Sequence, residues 1–115
     1  MRFLIVDDEP FVGKALRRLL VARGHTVELA ENGPGALAVL ERTPIDIVLC
    51  DYRMPGMTGG DVLRVVKERW PGVRRVLMSG YMDSTTDPGA GVSDHFLAKP
   101  WTMETFGELL ARLEG

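Results

Sequence analysis

Four short stretches of this chain carry residues whose chemistry exceeds what a surface needs: Asp7-Asp8, Asp51, Ser79 and Lys99-Pro100. Each stands at the end of a strand-like run. Asp7-Asp8 closes Phe3-Leu4-Ile5-Val6, and Asp51 closes a run from Ile45 to Cys50 that only Asp46 interrupts. Ser79 closes Val73 to Met78, and Lys99 closes His95 to Ala98. Three carboxylates gathered in one place repel and raise one another's pKa. A hard divalent cation relieves that repulsion, and an all-oxygen donor set suits Mg²⁺ or Mn²⁺. A lysine at the same rim adds a second positive charge, and a serine adds a hydroxyl donor. Such a group can hold the charged oxygens of a phosphoryl group.

The elements that must gather these residues are legible as alternating periodicities. Phe3 to Val6 reads as a strand buried on both faces. From Pro10 onwards Val12, Leu16, Leu19 and Leu20 share one helical face, and Gly24 stops the helix. His25 to Ala30 alternates, as a strand near a sheet edge does. Asn32-Gly33-Pro34 opens a second helix with Ala36, Leu37 and Leu40 inward, and Ile45 to Cys50 forms a third strand. Thr58 and Asp61 have capping-box spacing ahead of a helix that buries Val62, Leu63, Val66 and Trp70. Val73 to Met78 is a fourth strand and His95 to Ala98 a fifth. Thr102 caps a last helix that carries Phe106, Leu109, Leu110 and Leu113. This alternation predicts an α/β domain with a parallel sheet covered on both faces. In such sheets ligands bind beyond the carboxyl ends of the strands, where the strand order reverses. Strands one and three as neighbours would bring their ends to about 5 Å.

Composition bounds the rest. The chain has 115 residues, one domain spanning 1–115. Fourteen basic against sixteen acidic residues, net −2, argue against direct nucleic-acid binding through phosphate neutralisation. A content of 45% hydrophobic residues suffices for a packed core. The single cysteine, Cys50, cannot form an internal disulfide and fits a reducing compartment. The first apolar run is too short for a signal peptide or a membrane span, so a soluble cytoplasmic domain is expected. Singly, the rim residues have ordinary readings. Asp7 and Asp8 could cap a helix, Asp51 and Ser79 could be turn residues, and Lys99 could be a solvated charge. Their joint arrival at one rim outweighs these. His25 and His95 read as surface or strand residues, Cys50 as core, and Trp70 as helix-end packing. Trp101 reads as either packing or an exposed partner surface.

The set Val6-Asp7-Asp8-Glu9-Pro10, Asp51-Tyr52-Arg53-Met54-Pro55-Gly56-Met57-Thr58-Gly59, Ser79-Gly80 and Lys99-Pro100 resembles the receiver domain of two-component response regulators, the chemotaxis-Y-like family. The resemblance covers essentially the whole chain. It implies a flavodoxin-like, doubly wound five-stranded parallel sheet in the order 2-1-3-4-5. It further implies that Asp51 accepts a phosphoryl group from the phosphohistidine of a sensor histidine kinase or phosphotransfer protein. Mg²⁺ (or Mn²⁺) would be held by Asp8, Asp51 and the backbone carbonyl of Arg53, with Asp7 acting through a metal-bound water. Lys99 would bridge Asp51 and then the phosphoryl group, Ser79 would turn to bind a phosphoryl oxygen, and Phe96 would be the aromatic switch. Arg53 and Tyr81, each two residues past a site residue, would tune the rate of phosphoryl loss, and the Lys99–Pro100 bond would be cis. The implied protein is a signalling switch rather than an enzyme, catalysing only its own phosphorylation and dephosphorylation. Its output partner or effector domain is unspecified, no membrane is involved, and homodimerisation is left open. Because Met1 leads directly into the first strand, a stand-alone or N-terminal receiver is expected, although Ser79-Gly80-Tyr81 and Lys99-Pro100-Trp101-Thr102 also resemble receivers of hybrid kinases.

Rival readings fare worse. A haloacid-dehalogenase-type phosphatase needs a second Asp where Arg53 stands, and no G-x-G-x-x-G or P-loop glycine pattern occurs. A phosphorylation-independent pseudo-receiver acting as a binding module is the alternative kept. The rhythm fails from Tyr81 to Asp94, where the family places a fourth helix. Pro88 removes a backbone donor, and Gly89 and Gly91 each cost a helix interior roughly 1 kcal/mol. That helix is expected to be truncated, displaced or absent, with a mobile loop in its place.

Overall fold

Five short strands pair in parallel in the order β2-β1-β3-β4-β5 in the computed structural model, which describes residues 1–80 and 90–115. They are β1 (Arg2–Val6), β2 (Thr26–Ala30), β3 (Ile47–Asp51), β4 (Arg74–Ser79) and β5 (His95–Ala98). The order reverses between β1 and β3, so the carboxyl ends of these two central strands flank the crevice that such folds reserve for ligands. Strand β3 is buried along its whole length, whereas β2 at the edge is half exposed, which is the difference its alternating sequence predicted.

Successive residues of a strand face opposite sides of the sheet, and each side builds its own core. Phe3, Ile5, Ile47, Leu49, Val76 and Met78 meet α1 (Pro10–Ala22) and α4 (Met103–Glu114) through Leu16, Leu20, Phe106, Leu109, Leu110 and Leu113. Leu4, Val6, Val48, Cys50 and Leu77 meet α2 (Gly33–Arg42) and α3 (Gly59–Arg69) through Ala36, Val39, Leu40, Val62, Leu63 and Val66. Three helix starts are fixed by side chains. The Asn32 carbonyl accepts from Gly35 N at 2.7 Å. Thr58 Oγ1 accepts from Asp61 N at 3.1 Å while Asp61 Oδ2 accepts from Thr58 N at 3.0 Å. Thr102 and Thr105 repeat that reciprocal pattern at the start of α4. Caps of this kind contribute about 1 kcal/mol each.

Strand β3 starts at Ile47, two residues later than the apolar run suggests. Asp46 is used instead to tie β1, its Oδ2 accepting from Arg2 N at 2.7 Å. Between β4 and β5 a 3-10 turn spans Ala90–Val92. The expectation of a weakened fourth helix falls mainly on residues 81–89, which lie outside the described residues. Among the described residues there are four α-helices, and none of them lies between β4 and β5. None is long and apolar enough to cross a membrane.

At the amino ends of the strands, Glu114 closes the last turn of α4 onto both Arg23 and His25. The His25 side chain is only 9% exposed. Its ring lies 4.9 Å from that of Phe3, and Nδ1 is 3.1 Å from the Met1 amine. Trp101 is half-buried, its ring 5.4 Å from that of Phe106, so it packs at the margin of the core.

Candidate functional site

Parallel pairing with neighbouring ends places the predicted residues together. One carboxylate oxygen from each of Asp7, Asp8 and Asp51 lies within 4.8 Å of the others. Asp7 and Asp51 are buried, while Asp8 is exposed. Lys99, just past β5, extends between the two buried groups, with Nζ 3.0 Å from Asp7 Oδ2 and 3.1 Å from Asp51 Oδ1. Ser79 is buried at the end of β4, and its carbonyl accepts from Lys99 N at 2.8 Å, so the two residues are held side by side. The Lys99–Pro100 bond is cis. An open cavity of about 510 Å³ over this group is lined by Asp8, Glu9, Asp51, Arg53, Gly80 and Lys99. Phe96 is half-buried on β5 and packs against the α2/α3 core. Tyr81 lies outside the described residues.

The segment after Asp51 is pinned from below. Tyr52 N donates to the Met78 carbonyl at 2.8 Å, and Gly59 N donates to the Tyr52 carbonyl at 2.9 Å. A Cβ on Gly59 would stand 2.3 Å from the Asp51 carbonyl oxygen, so only glycine lets α3 start so close to β3.

Among the described residues the rim carries more negative than positive charge, Asp7, Asp8, Glu9 and Asp51 standing against Lys99 and Arg53. Burial pushes the Asp51 carboxyl above the usual range; Lys99 pulls it down, and Asp7 and Asp8 push it further up. For Lys99, burial opposes the charge, yet the hydrogen bond to Asp7 and the charges of Asp51 and Asp7 raise it above the usual lysine value. Behind Asp51, Cys50 is fully buried. Burial first, then the Asp51 and Asp7 charges, push its thiol far up and keep it neutral. Oxygen-only donors around a negatively charged, open cavity match what a hard divalent cation binds, and the residues present fit such an ion.

Asp7 grips Lys99 directly through Oδ2, while Oδ1 accepts from Glu9 N at 2.9 Å. The helix-cap reading of Asp7 and Asp8 fails in detail, since the N-cap of α1 is Glu9 and its side chain makes no cap bond. The signal for the Asp7 geometry was its two-residue offset from Glu9, which suits a carboxylate folding back on the backbone.

Comparison with known proteins agrees with this geometry. The family model described as response regulator receiver domain matches residues 3–112. The hydrogenase transcriptional regulatory protein HoxA of Cupriavidus necator is 45% identical over 88% of this chain and 21% of its own length. The transcriptional regulatory protein KdpE of Mycobacterium tuberculosis is 37% identical over 96% of this chain and 48% of its own. The chain therefore spans less than half of these curated relatives. Among solved structures, the response regulator TrrA of Thermotoga maritima, in complex with Mg²⁺-BeF, superposes with a TM-score of 0.88 at 28% identity, covering 97% of each chain. The chemotaxis response regulator CheY4 of Vibrio cholerae gives 0.90 at 26% identity, again covering 97% of each.

Proposed function

This chain belongs to the response regulator receiver family, and we propose that it is a phosphorylation-dependent switch with Asp51 as acceptor. The observation that carries the reading is the Lys99 ammonium, held between the buried carboxylates of Asp7 and Asp51 at 3.0 and 3.1 Å. An Asp51 oxygen attacks the phosphorus of a phosphohistidine. The new P–O bond forms as the P–N bond breaks, and the imidazole leaves with the electron pair and takes up a proton. Lys99 moves its charge from Asp51 to a phosphoryl oxygen, and the Ser79 hydroxyl donates to another. Asp8, Asp51 and the carbonyl of Arg53 would hold Mg²⁺ (or Mn²⁺), with Asp7 reaching it through a water. When bound, the ion offsets the negative charge of carboxylates and phosphoryl group together. Arg53 on the cavity wall, with Tyr81, sets how long the phosphoryl group survives.

The donor is a sensor kinase or phosphotransfer protein. It must approach over a rim where Phe11 is 88% exposed and where Glu9, Val12, Lys99, Pro100 and Trp101 line a second cavity of about 430 Å³. Output runs through Ser79 and Phe96 to a partner or attached effector, in the cytoplasm. Acetyl phosphate with Mg²⁺ should add one phosphate to the wild type by intact mass. None should be added to Asp51→Asn, and none in excess chelator. A wild type that stays unlabelled would favour the binding-module alternative, and an Asp51→Asn that labels fully would move the acceptor elsewhere.

A further inference from the structure

Strand β4 opens on Arg74-Arg75, and the second of these charges lies where the sheet is buried. Arg75 is only 8% exposed and pairs across the sheet with Val48. A buried guanidinium is costly unless its donors are satisfied, and here they are. Nε donates to the Val92 carbonyl at 2.7 Å, one terminal nitrogen to the Val73 carbonyl at 3.0 Å, and the other to Asp94 Oδ1 at 3.1 Å. The main chains of the same two residues take part as well. Arg75 N donates to Asp94 Oδ2 at 3.0 Å, and Asp94 N donates to the Arg75 carbonyl at 2.8 Å.

These contacts sit at one end of the shortest strand. Strand β5 has four residues, lies at the sheet edge and bonds to β4 alone. Its register runs from Val76–His95 to Ser79–Ala98. The Arg75–Asp94 cluster closes the ladder at its amino end, and the Lys99 N to Ser79 carbonyl bond closes it at the other. A slip of one residue in a strand turns every side chain to the opposite face. Phe96 and Lys99 both depend on that register.

We infer that Arg75 is a positioning residue for the acceptor site. From about 17 Å away (five residues of strand), its clamp on Asp94 and Val92 holds β5 in register and so keeps Lys99 between Asp7 and Asp51. The inference rests on the acceptor reading above only for its consequence in phosphorylation, because the strand register can be read without any phosphodonor.

The test uses the full chain. Arg75→Met keeps the apolar stem and removes the fork. It should lower the acetyl phosphate labelling rate about tenfold and speed exchange of the Lys99 amide at least tenfold by NMR, with amides of α2 unchanged. In a Lys99→Ala background the same substitution should alter labelling less than twofold, because the group it positions is gone. An equal loss in both backgrounds, or an unchanged Lys99 amide, overturns the inference. Should Arg75→Met not fold, Asp94→Asn replaces it, since that side chain is 40% exposed. It should give about threefold changes in the same two readouts, and no change in either overturns the inference. A wild type that does not label rejects the acceptor reading, while Lys99 amide exchange still decides the role of Arg75.

Discussion

At the carboxyl ends of the strands, Asp7, Asp8 and Asp51 crowd around one ammonium, that of Lys99. At the amino ends the proportions reverse, and Glu114 alone meets both Arg23 and His25. The carboxyl groups respond in opposite directions. The hydrogen bond from Arg23, then that from His25, brings Glu114 down to about 2, whereas burial raises Asp51 despite Lys99. One fold thus presents carboxylates in two conditions. Glu114 has its compensation within the chain and ties α4 down. The rim trio is left short of positive charge, which is the condition in which a cation or a ligand's counterion gains most by binding.

The comparison can be broken most forcefully at Lys99. Lys99→Met would leave two buried carboxylates without their shared partner and should destabilise the fold by on the order of 3 kcal/mol, measured by urea unfolding in chelator. A loss under about 0.5 kcal/mol, the size of a neutral surface change, would show that the rim is not short of charge. Next in size is the effect of a cation. Mg²⁺ at a hundred times its dissociation constant should stabilise the wild type by about 2.7 kcal/mol. Asp8→Ala should forfeit most of that gain while leaving stability in chelator within about 0.5 kcal/mol. Full retention of the Mg²⁺ effect would remove Asp8 from the cation site.

The smallest effect belongs to the opposite end. Because Glu114 is depressed in the fold, its contribution is present above its ordinary value of 4.5 and fades as pH falls toward about 2. Glu114→Gln should therefore fray the last turn of α4 near neutral pH, seen as faster amide exchange there. The gap between variant and wild type should close on acidification through that window. A gap that stays constant with pH would mean that the carboxylate charge plays no part.

How much of this was legible in the sequence depended on whether a signal was local. Strand-like runs ended by Asp8, Asp51, Ser79 and Lys99 marked both the strands and the rim, because parallel α/β topology carries strand ends to one side automatically. The capping box at Thr58 and Asp61 was readable for the same reason, both partners lying within one turn. What stayed hidden depends on pairs far apart in the chain. Nothing beside Arg75 in the sequence marks its partners Val92 and Asp94, which lie 17 and 19 residues further on. His25 was read as a surface or strand residue. It does lead into β2, but Glu114, 89 residues later, and Met1 close over its ring. The direct ion pair of Asp7 with Lys99 spans 92 residues, a separation that no local signal bridges.

Cys50 gives the molecule a built-in clock. The thiol sits fully enclosed on the central strand, one residue before Asp51, and stays neutral there. Thiolate-seeking reagents act on the exposed, ionised sulfur, so they must wait for the sheet to part. The rate at which such a reagent consumes Cys50 then records how often the centre of the domain opens. A bound ligand at the rim that steadies β3 would register as a slower tick, with no label attached to the site itself.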